Sequence, residues 1–465
     1  MSILLWILLY TYGALISGVD PSAVEAVALG LPVLDADTLA ACAGLPIGST
    51  LSNLYELART LRTVEALAAA DAHEPASAGA NAASQHAEPG SGSRKRRRPM
   101  RKFQRLSFDW LLERLHPLEF RKSYGLSHAA FNELHRRIEP RLATTSTRGG
   151  AANRDPVRTE IKLAIVLRWL RGGSHHDLTV LYGVSVARIY VFIYQVCRAI
   201  CDTHELPLVG AVAEAQAGDS SRLQWLARGF ERFTHGVFDT CIGAIDGVQV
   251  QIAKPSRADC GQPNYYYTRK DVFALNVQAI ADYLGRITWI SICAPGSVND
   301  SIAYRMSRLW QTLERQGVGF FLVGDEAYNN TEAMAVPVHG LWQSGTAEDD
   351  YNYYQALTRQ PVERAFGMVE RRWGVLWRRL DVRLPHATLI ILTVIHLHNL
   401  AMQFNVPEPP PLPGTTFRPL HRGHDVQPGR RFDVEGGTVL RSGLISGLRS
   451  AGLVRPPVHG TRRAH

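Results

Sequence analysis

The spacing of apolar and polar positions predicts helices in the first half of the chain and a mixed α/β region after it. Before residue 205, apolar residues recur every three or four positions, as Phe131, Leu134 and Ile138 do in one amphipathic helix. From Thr240 onward, apolar runs of strand length alternate with helical segments. The two halves of the chain are therefore expected to fold differently.

The second half predicts strands and helices in the order β-β-β-α-β-α. The predicted strands are 240–252, 272–281, 286–294 and 319–323, and the predicted helices are 301–316 and 360–380. A crossover helix lets the later strand pair in parallel with one of the first three. We therefore expect an α/β fold with a mixed central sheet flanked by helices.

The segment 157–204 has the layout of a helix-turn-helix. One helix ends at a Gly172-Gly173 break, a short helix is capped by Ser174, and a third helix opens at Ser185 after a glycine turn. The third helix would present Arg188 to a DNA major groove. A helical bundle that only braces the next domain fits the same pattern equally well.

Composition divides the chain into five regions. These are an apolar, helical region 1–72, a disordered linker 73–104, a helix-turn-helix-like region 105–204, an α/β domain 240–403 and a disordered Pro- and Arg-rich tail 404–465. Residues 1–19 carry no charge, but they lack the basic start of a signal peptide and are shorter than a span of about 20 residues. A packed helix or a start site placed too early is the favoured interpretation, and we expect no membrane association.

Positive charge is concentrated in one run. The 465 residues have a net charge of +9, and eight of the twelve residues at 94–105 are basic. Arg94, Lys95, Arg96, Arg97 and Arg98 predict a solvated linker that also serves as a nuclear import signal or a phosphate-binding arm. The six cysteines form no CxxC pair, which favours a reduced, intracellular protein without a structural zinc site.

Three carboxylates occupy positions that a sheet would bring together. Asp246 lies inside an apolar strand, Asp325 ends a buried strand, and Glu363 lies on the following helix. A charge inside a buried strand is costly unless it is paired or holds a metal. Mg²⁺ or Mn²⁺ prefers carboxylates, and two such ions can activate water and stabilise a leaving oxygen in phosphodiester hydrolysis. The pattern predicts a divalent-metal site.

The predicted helix 360–380 supports this interpretation of Glu363. Its apolar stripe consists of Val362, Phe366, Val369, Trp373, Leu376 and Leu380. Glu363 lies beside the stripe, and Gly367 one turn later leaves the neighbouring surface bare for a metal and a phosphate backbone. Arg359 and Arg364 could contact phosphates. The alternative is an ordinary helix rich in Glu and Arg.

A cluster of tyrosines and basic residues precedes the second strand. Residues 265–267 are tyrosines, and Arg269 and Lys270 follow them. Such a patch could stack on distorted DNA ends, although tyrosines in a hairpin more often serve in packing. Arg269 and Lys270 are candidate DNA-binding residues.

Several ordered motifs resemble those of PIF/Harbinger transposases, DDE-superfamily endonucleases with an RNase H-like core. The motif segments are Gly243-Ala-Ile-Asp-Gly247, Pro295-Gly-Ser-Val-Asn-Asp-Ser301, Leu322-Val-Gly-Asp-Glu-Ala-Tyr328, Val362-Glu-Arg-Ala-Phe-Gly367 and His396-Leu-His-Asn399. The segment from Thr268 through Asn276 to Asp282 is similar to the family's second strand region. The resemblance covers about residues 105 to 403.

The resemblance implies roles for individual acids. Asp246, Asp325 and Glu363 would be the catalytic triad: Asp246 would bridge two metals, Asp325 would hold one of them, and Glu363 would complete the other and orient water. Asp300 matches a further metal-binding position, or it could instead cap a helix ahead of Ser301. Asn299 departs from the family pattern, which often has His there.

The implied reaction is nicking at transposon ends followed by attack of the freed 3′-hydroxyl on target DNA. DNA, a Myb-like accessory protein and further copies of the chain are the implied partners, and the nucleus is the expected location. One rival hypothesis is a domesticated relative that binds DNA or a protein without cutting. Another is a different RNase H-like nuclease, which the ordered motifs disfavour.

Overall fold

The computed structural model describes residues 108–109, 114–142, 157–314, 317–340, 343–408, 421–422 and 435–457. The chain divides into two compact units, residues 1–97 with 256–262, and residues 98–255 with 263–465. Of the first unit, only 256–262 are described, as a short helix α8 (Arg257–Cys260) whose N-cap Ser256 accepts a hydrogen bond from the amide of Asp259. The predicted regions 1–72 and 73–104 lie outside the described residues.

The second unit begins with helices. They are α1 (Pro117–Tyr124), α2 (His128–Leu142), α3 (Thr159–Leu170), α4 (His175–Tyr182), α5 (Val186–Cys201), α6 (Pro207–Gln216) and α7 (Ser221–Glu231). Two serine caps lie where the sequence predicts them, because the Ser174 hydroxyl accepts from the amide of Asp177 and the Ser185 hydroxyl from the amide of Arg188. The predicted helix boundaries of 157–204 are confirmed.

The sheet is mixed, as the sequence predicts. Its strands are β1 (Cys241–Gln251), β2 (Ala274–Ala281), β3 (Ile287–Pro295), β4 (Phe321–Val323) and β5 (Met334–Ala335), in the spatial order β3-β2-β1-β4-β5. The first three are antiparallel neighbours, and β4 returns parallel to β1. A two-residue strand β6 (His421–Arg422) also pairs with β1. This arrangement is consistent with an RNase H-like fold and confirms the expected α/β class.

Helices cover both faces of the sheet. They are α9 (Asp300–Arg305), α10 (Arg308–Leu313), α11 (Ala347–Arg372), α12 (Leu384–Gln403) and α13 (Glu435–Ser450). Ala244 and Val248 of β1 pack in one core with Phe366 of α11, while Ile245 packs in a second core with Tyr304 of α9. Successive residues of β1 therefore point to opposite helical layers.

Long helix α12 is a core element. By length and composition it could cross a membrane, but 61% of its most apolar window is buried within the protein. Val394 and Leu397 lie in the large hydrophobic cluster that also contains Trp169 of α3. Buried Arg372, at the end of α11, links the sheet region to the first helices, because its guanidinium donates to the carbonyl of Gly125 over 2.9 Å.

Three predictions of local structure need correction. Helix α11 begins thirteen residues earlier than predicted and ends at Arg372, because Thr346 caps it and its acidic first turn favours a helix N-terminus. The predicted helix 301–316 is broken into α9 and α10, since Ser307 caps a new helix. The short strand β5 was not predicted.

Part of the tail 404–465 is helical, whereas the sequence predicts a disordered tail. Within it, α13 packs on the second unit through Leu444 and Leu448, which are buried. The backbone amide and guanidinium of Arg455 donate to Asp350 and Asp349 over 2.6 and 2.7 Å. Composition hides this helix because its apolar residues are separated by Gly and Ser.

Leu448→Ala tests the docking of α13. Because Leu448 is 1% exposed, we expect the substitution to lower the free energy of unfolding, by about 2–4 kcal/mol for a buried leucine. Val439→Ala on the same helix is the control, since Val439 is 69% exposed and should change stability little. Chemical denaturation measures both, and equal stability of Leu448→Ala and the unaltered protein would contradict the docking.

Candidate catalytic carboxylate site

Parallel pairing of β1 and β4 brings two aspartates together. Ala244 of β1 pairs with Val323 of β4. Asp246 and Asp325 each lie two residues further along these neighbouring segments. Both carboxylates are buried, with exposures of 2% and 6%. The acids that the sequence singles out 79 positions apart are thus neighbours at one end of the β1–β4 pair.

Asp246 has an incompletely satisfied carboxylate. Its Oδ1 accepts a hydrogen bond of 2.9 Å from the amide of Gly247, while Oδ2 is buried without a hydrogen-bond partner among the described residues. Burial, followed by the charge of Asp325, raises the pKa of Asp246 to about 7, and the nearby Arg359 opposes this rise. An ion-free protein therefore holds Asp246 partly protonated near neutral pH.

Asp325 is fixed by the turn that follows β4. Its Oδ1 accepts from the amide of Ala327 over 2.9 Å. Buried Gln355 of α11 donates to the carbonyl of Gly324 over 2.6 Å and to that of Ala335 over 3.1 Å. Helix α11 thus holds β4 and β5 in place directly beside Asp325.

Glu363, the third predicted acid, is paired with a cation on α11. Its Oε1 lies 2.7 Å from Nη2 of Arg359, one helical turn earlier, and the two side chains are 28% and 16% exposed. The remaining nitrogens of that guanidinium, Nε and Nη1, are buried without hydrogen-bond partners among the described residues. Arg359 therefore pairs with Glu363 and is also close enough to Asp246 to oppose the rise in the pKa of that carboxyl.

The surface beside Glu363 is open, as predicted. A Cβ built on Gly367 would meet no atom within 4 Å. Arg364 extends to the β2–β3 hairpin, where its Nη2 donates to the carbonyl of Leu284 over 2.8 Å. The predicted phosphate contact of Arg364 remains a prediction.

Asp300 lies behind β1, on the opposite helical layer from Asp246. Its Oδ1 accepts hydrogen bonds of 2.9 and 2.8 Å from the side-chain amides of Asn276 and Gln278. A Cβ on Gly247 would lie 2.3 Å from that same oxygen, so only glycine lets Asp300 approach the strand. The helix cap that the sequence offers as its other role belongs to Asn299, whose side chain accepts from the amide of Ile302.

The donor set suits a hard divalent cation. Asp246 offers a buried oxygen without a hydrogen-bond partner among the described residues, and Asp325 adds a second carboxylate, the ligand type that such a cation prefers. As the side chains lie, no three His, Cys, Asp or Glu residues of the described part could hold a metal together. The third predicted ligand, Glu363, is paired with Arg359 instead.

The other predicted DNA contacts, Arg188, Arg269 and Lys270, lie on segments that carry none of the three acids. Helices α4 and α5 meet at 96° across a three-residue connection, and Arg188 is exposed in the first turn of α5. Arg269 is exposed and Lys270 is half-buried, next to the exposed rings of Tyr265 and Tyr267. The basic run at 94–98 lies outside the described residues.

The motif at 396–399 secures the β2–β3 hairpin. Asn399 accepts from the amide of Ile287 over 2.9 Å and donates to its carbonyl over 2.7 Å. His398 Nε2 lies 2.8 Å from the carbonyl of Gly285. These contacts give the motif a structural role in attaching α12 to the sheet.

Gln278 and Tyr328 are site residues that the sequence interpretation missed. The Tyr328 hydroxyl donates to Gln278, which in turn donates to Asp300, so the three form a buried polar network behind β1. A signal was present, because Asn276 and Gln278 alternate with apolar residues in a strand that is otherwise fully apolar. Buried polar side chains at alternate positions indicate a shared partner.

Comparison with known proteins agrees with this geometry. Residues 245–399 match the family model described as DDE superfamily endonuclease. The chain is also similar to "Putative nuclease HARBI1" of Bos taurus, Rattus norvegicus and Homo sapiens, at 25% identity over 166 residues in each case, which is 35% of this chain and 46% of the relative. The chain thus spans about half the length of these relatives, and no solved structure is significantly similar to it. The family resemblance seen in the motifs is confirmed for residues 245–399, a shorter stretch than the expected 105–403.

Asp246→Asn should stabilise the metal-free protein in a pH-dependent way. The pKa of Asp246 is about 7 when folded and 3.8 for an ordinary aspartate. The folded state therefore retains the proton better, and the free energy of unfolding falls as pH rises from about 4 to about 7. The amide carries no charge and escapes this penalty.

Thermal unfolding in chelator at pH 5 and pH 8 measures the effect. We expect Asp246→Asn to raise Tm relative to the unaltered protein on the order of 3 °C at pH 8 and by less at pH 5. Asp381→Asn, at an exposed residue paired with Arg379, is the control and should show no such rise between the two pH values. A gain for Asp246→Asn that is equal at both pH values would contradict the assigned pKa.

Proposed function

We propose that the protein is a metal-dependent DNA transposase, because residues 245–399 match the family model described as DDE superfamily endonuclease. It would nick transposon ends and transfer the freed 3′-hydroxyl to target DNA. The observation that carries the proposal is the buried Asp246–Asp325 pair with an oxygen lacking a hydrogen-bond partner, facing the helix of Glu363. A pair of crowded carboxylates is costly to fold unless a cation is bound in the working state.

We assign Asp246, Asp325 and Glu363 as the residues that would hold Mg²⁺ or Mn²⁺. When bound, the cation would supply Lewis-acid chemistry that activates water and stabilises the leaving oxygen. Asp246 and Asp325 are held rigidly by strand pairing and by Gln355, so they would fix the position of the scissile phosphate. Glu363, at 28% exposure, is accessible to solvent and could orient the attacking water or hydroxyl.

We propose that Asp300 positions the site rather than touching the reacting atoms. Its hydrogen bonds with Asn276 and Gln278 join α9 to β2, and its carboxylate lies against Gly247 of β1, next to Asp246 in the chain. A metal role for Asp300 remains the prediction of the family resemblance. The network on the opposite layer favours the positioning role.

We propose that the first half of α5 binds DNA, while its second half packs within the protein. The first half of α5 exposes Arg188 after a helix-turn-helix connection, which suits the major groove. The second half packs on α12, where Tyr194 stacks on His386 with ring centroids 3.7 Å apart. The two interpretations of this helix are therefore compatible, since each applies to a different half of it.

Further contacts would come from basic residues near the catalytic carboxylates. Arg359, Arg364, Arg269 and Lys270 are the candidates for phosphate contacts in the endonuclease domain. The basic run 94–98 would direct the protein to the nucleus. A Myb-like accessory protein and self-association are further proposals that follow from the family resemblance.

The test of catalysis is strand cleavage on DNA carrying the element's own ends, with Mg²⁺ or Mn²⁺. We expect Asp246→Asn, Asp325→Asn and Glu363→Gln each to lower the cleavage rate by about 10³-fold or more. Each substitution removes a negative charge that would hold the cation in the transition state. Asp381→Asn, which is exposed, serves as the control. Binding of these ends without cleavage, even with a Myb-like partner added, would favour the domesticated DNA-binding alternative.

Arg188→Ala tests the helix-turn-helix. Loss of a base or phosphate contact should weaken binding of the element's ends by about 5- to 100-fold without changing thermal stability, since Arg188 is exposed. Arg198→Ala, exposed near the other end of α5, is the matched control. Equal losses in the two variants, measured by fluorescence anisotropy, would contradict recognition by the first turn of α5.

A further inference from the structure

Arg359 has an arrangement that its predicted phosphate contact does not explain. One of its nitrogens pairs with Glu363 over 2.7 Å, and its other two, Nε and Nη1, are buried without hydrogen-bond partners among the described residues. Leaving two guanidinium donors unsatisfied is costly, and structures normally avoid it. These unsatisfied donors therefore indicate that the Arg359 side chain has a second functional conformation, in which they find a partner.

The surroundings of Arg359 show what it does in the metal-free protein. Asp246 and Asp325 place two carboxylates side by side, and Arg359 is close enough to Asp246 to offset part of their repulsion. The same guanidinium holds the third predicted ligand, Glu363. One positive side chain thus contacts or faces the acids that a divalent cation would need.

We propose that Arg359 is a displaceable counter-ion, which occupies Glu363 until a divalent cation takes that carboxylate over. The inference rests on the proposed function, because it assumes that Glu363 becomes a metal ligand. Cation binding would break the Arg359–Glu363 pair and give the buried site a stronger positive charge. Arg359 would then be free to direct its unsatisfied donors toward a DNA phosphate, so the metal and the phosphate contact would become coupled.

The geometry of α11 makes the exchange local. Arg359 and Glu363 are one turn apart on a single rigid helix, so the pair can open by side-chain rotation without movement of the backbone. Gly367, one turn beyond Glu363, leaves open space into which the carboxylate can turn. The neighbouring Arg364 is engaged elsewhere, because its guanidinium donates to the carbonyl of Leu284.

The test measures Mn²⁺ affinity of the metal-free full-length protein without DNA, by the electron paramagnetic resonance signal of free Mn²⁺. Arg359→Gln removes the competitor for Glu363, so we expect Mn²⁺ to bind about three- to tenfold more tightly, as for loss of one partly buried ion pair. Arg359→Met, which keeps the apolar stem, should behave alike and replaces it if Arg359→Gln does not fold. Arg379→Gln, at an exposed residue paired with Asp381, is the control and should leave the affinity unchanged.

A double-mutant cycle with Glu363→Gln separates the exchange from a simple field effect. If Arg359 acts by holding Glu363, Arg359→Gln should change the affinity by less than about twofold in the Glu363→Gln background. Equal tightening in both backgrounds would overturn the proposal, as would unchanged or weaker binding in Arg359→Gln. Absence of Mn²⁺ binding in every protein, the unaltered one included, would instead contradict the proposed function itself, and the exchange with it.

Discussion

The electrostatic crowding of Asp246 and Asp325 is the constraint on which the rest of the site depends. Two carboxylates are buried side by side where β4 returns parallel to β1, and one oxygen of Asp246 has no hydrogen-bond partner among the described residues. Burial of this kind opposes folding, and it raises the pKa of Asp246 to about 7. The surrounding structure must therefore stabilise an arrangement that is unfavourable until a cation binds.

That stabilisation is divided between the two helical layers. On one side, α11 contributes Gln355, which fixes β4, and Arg359, which supplies positive charge. On the other side, the hydrogen bond between Gln278 and Asp300 joins β2 to α9. Both side chains lie against Gly247, where a larger residue would not fit. The helices before residue 205 add rigidity, because their core is continuous with that of the sheet. Asp246 and Glu363 thus lie on regular elements and Asp325 lies directly after one, which suits the precise positioning that the proposed chemistry requires.

The sequence predicts the order of the main elements and the three acids, but not how the acids are paired. Periodicity finds β1 and the helix of Glu363 because their apolar residues repeat at strand and helix spacing. It misses α13, whose glycines weaken the pattern, and the two-residue strand β5, which is too short to have one. The Arg359–Glu363 pair and the placement of Asp300 behind β1 depend on side-chain direction in three dimensions, which spacing along the chain does not specify.

The proposed cation site lies on the α11 face of the β1–β4 pair. The most direct measurement is the anomalous diffraction of Mn²⁺ in crystals of the protein. We predict a peak within coordination distance of the carboxylates of Asp246 and Asp325. A peak on the Asp300 side of β1, or none near either aspartate at saturating Mn²⁺, would contradict the account.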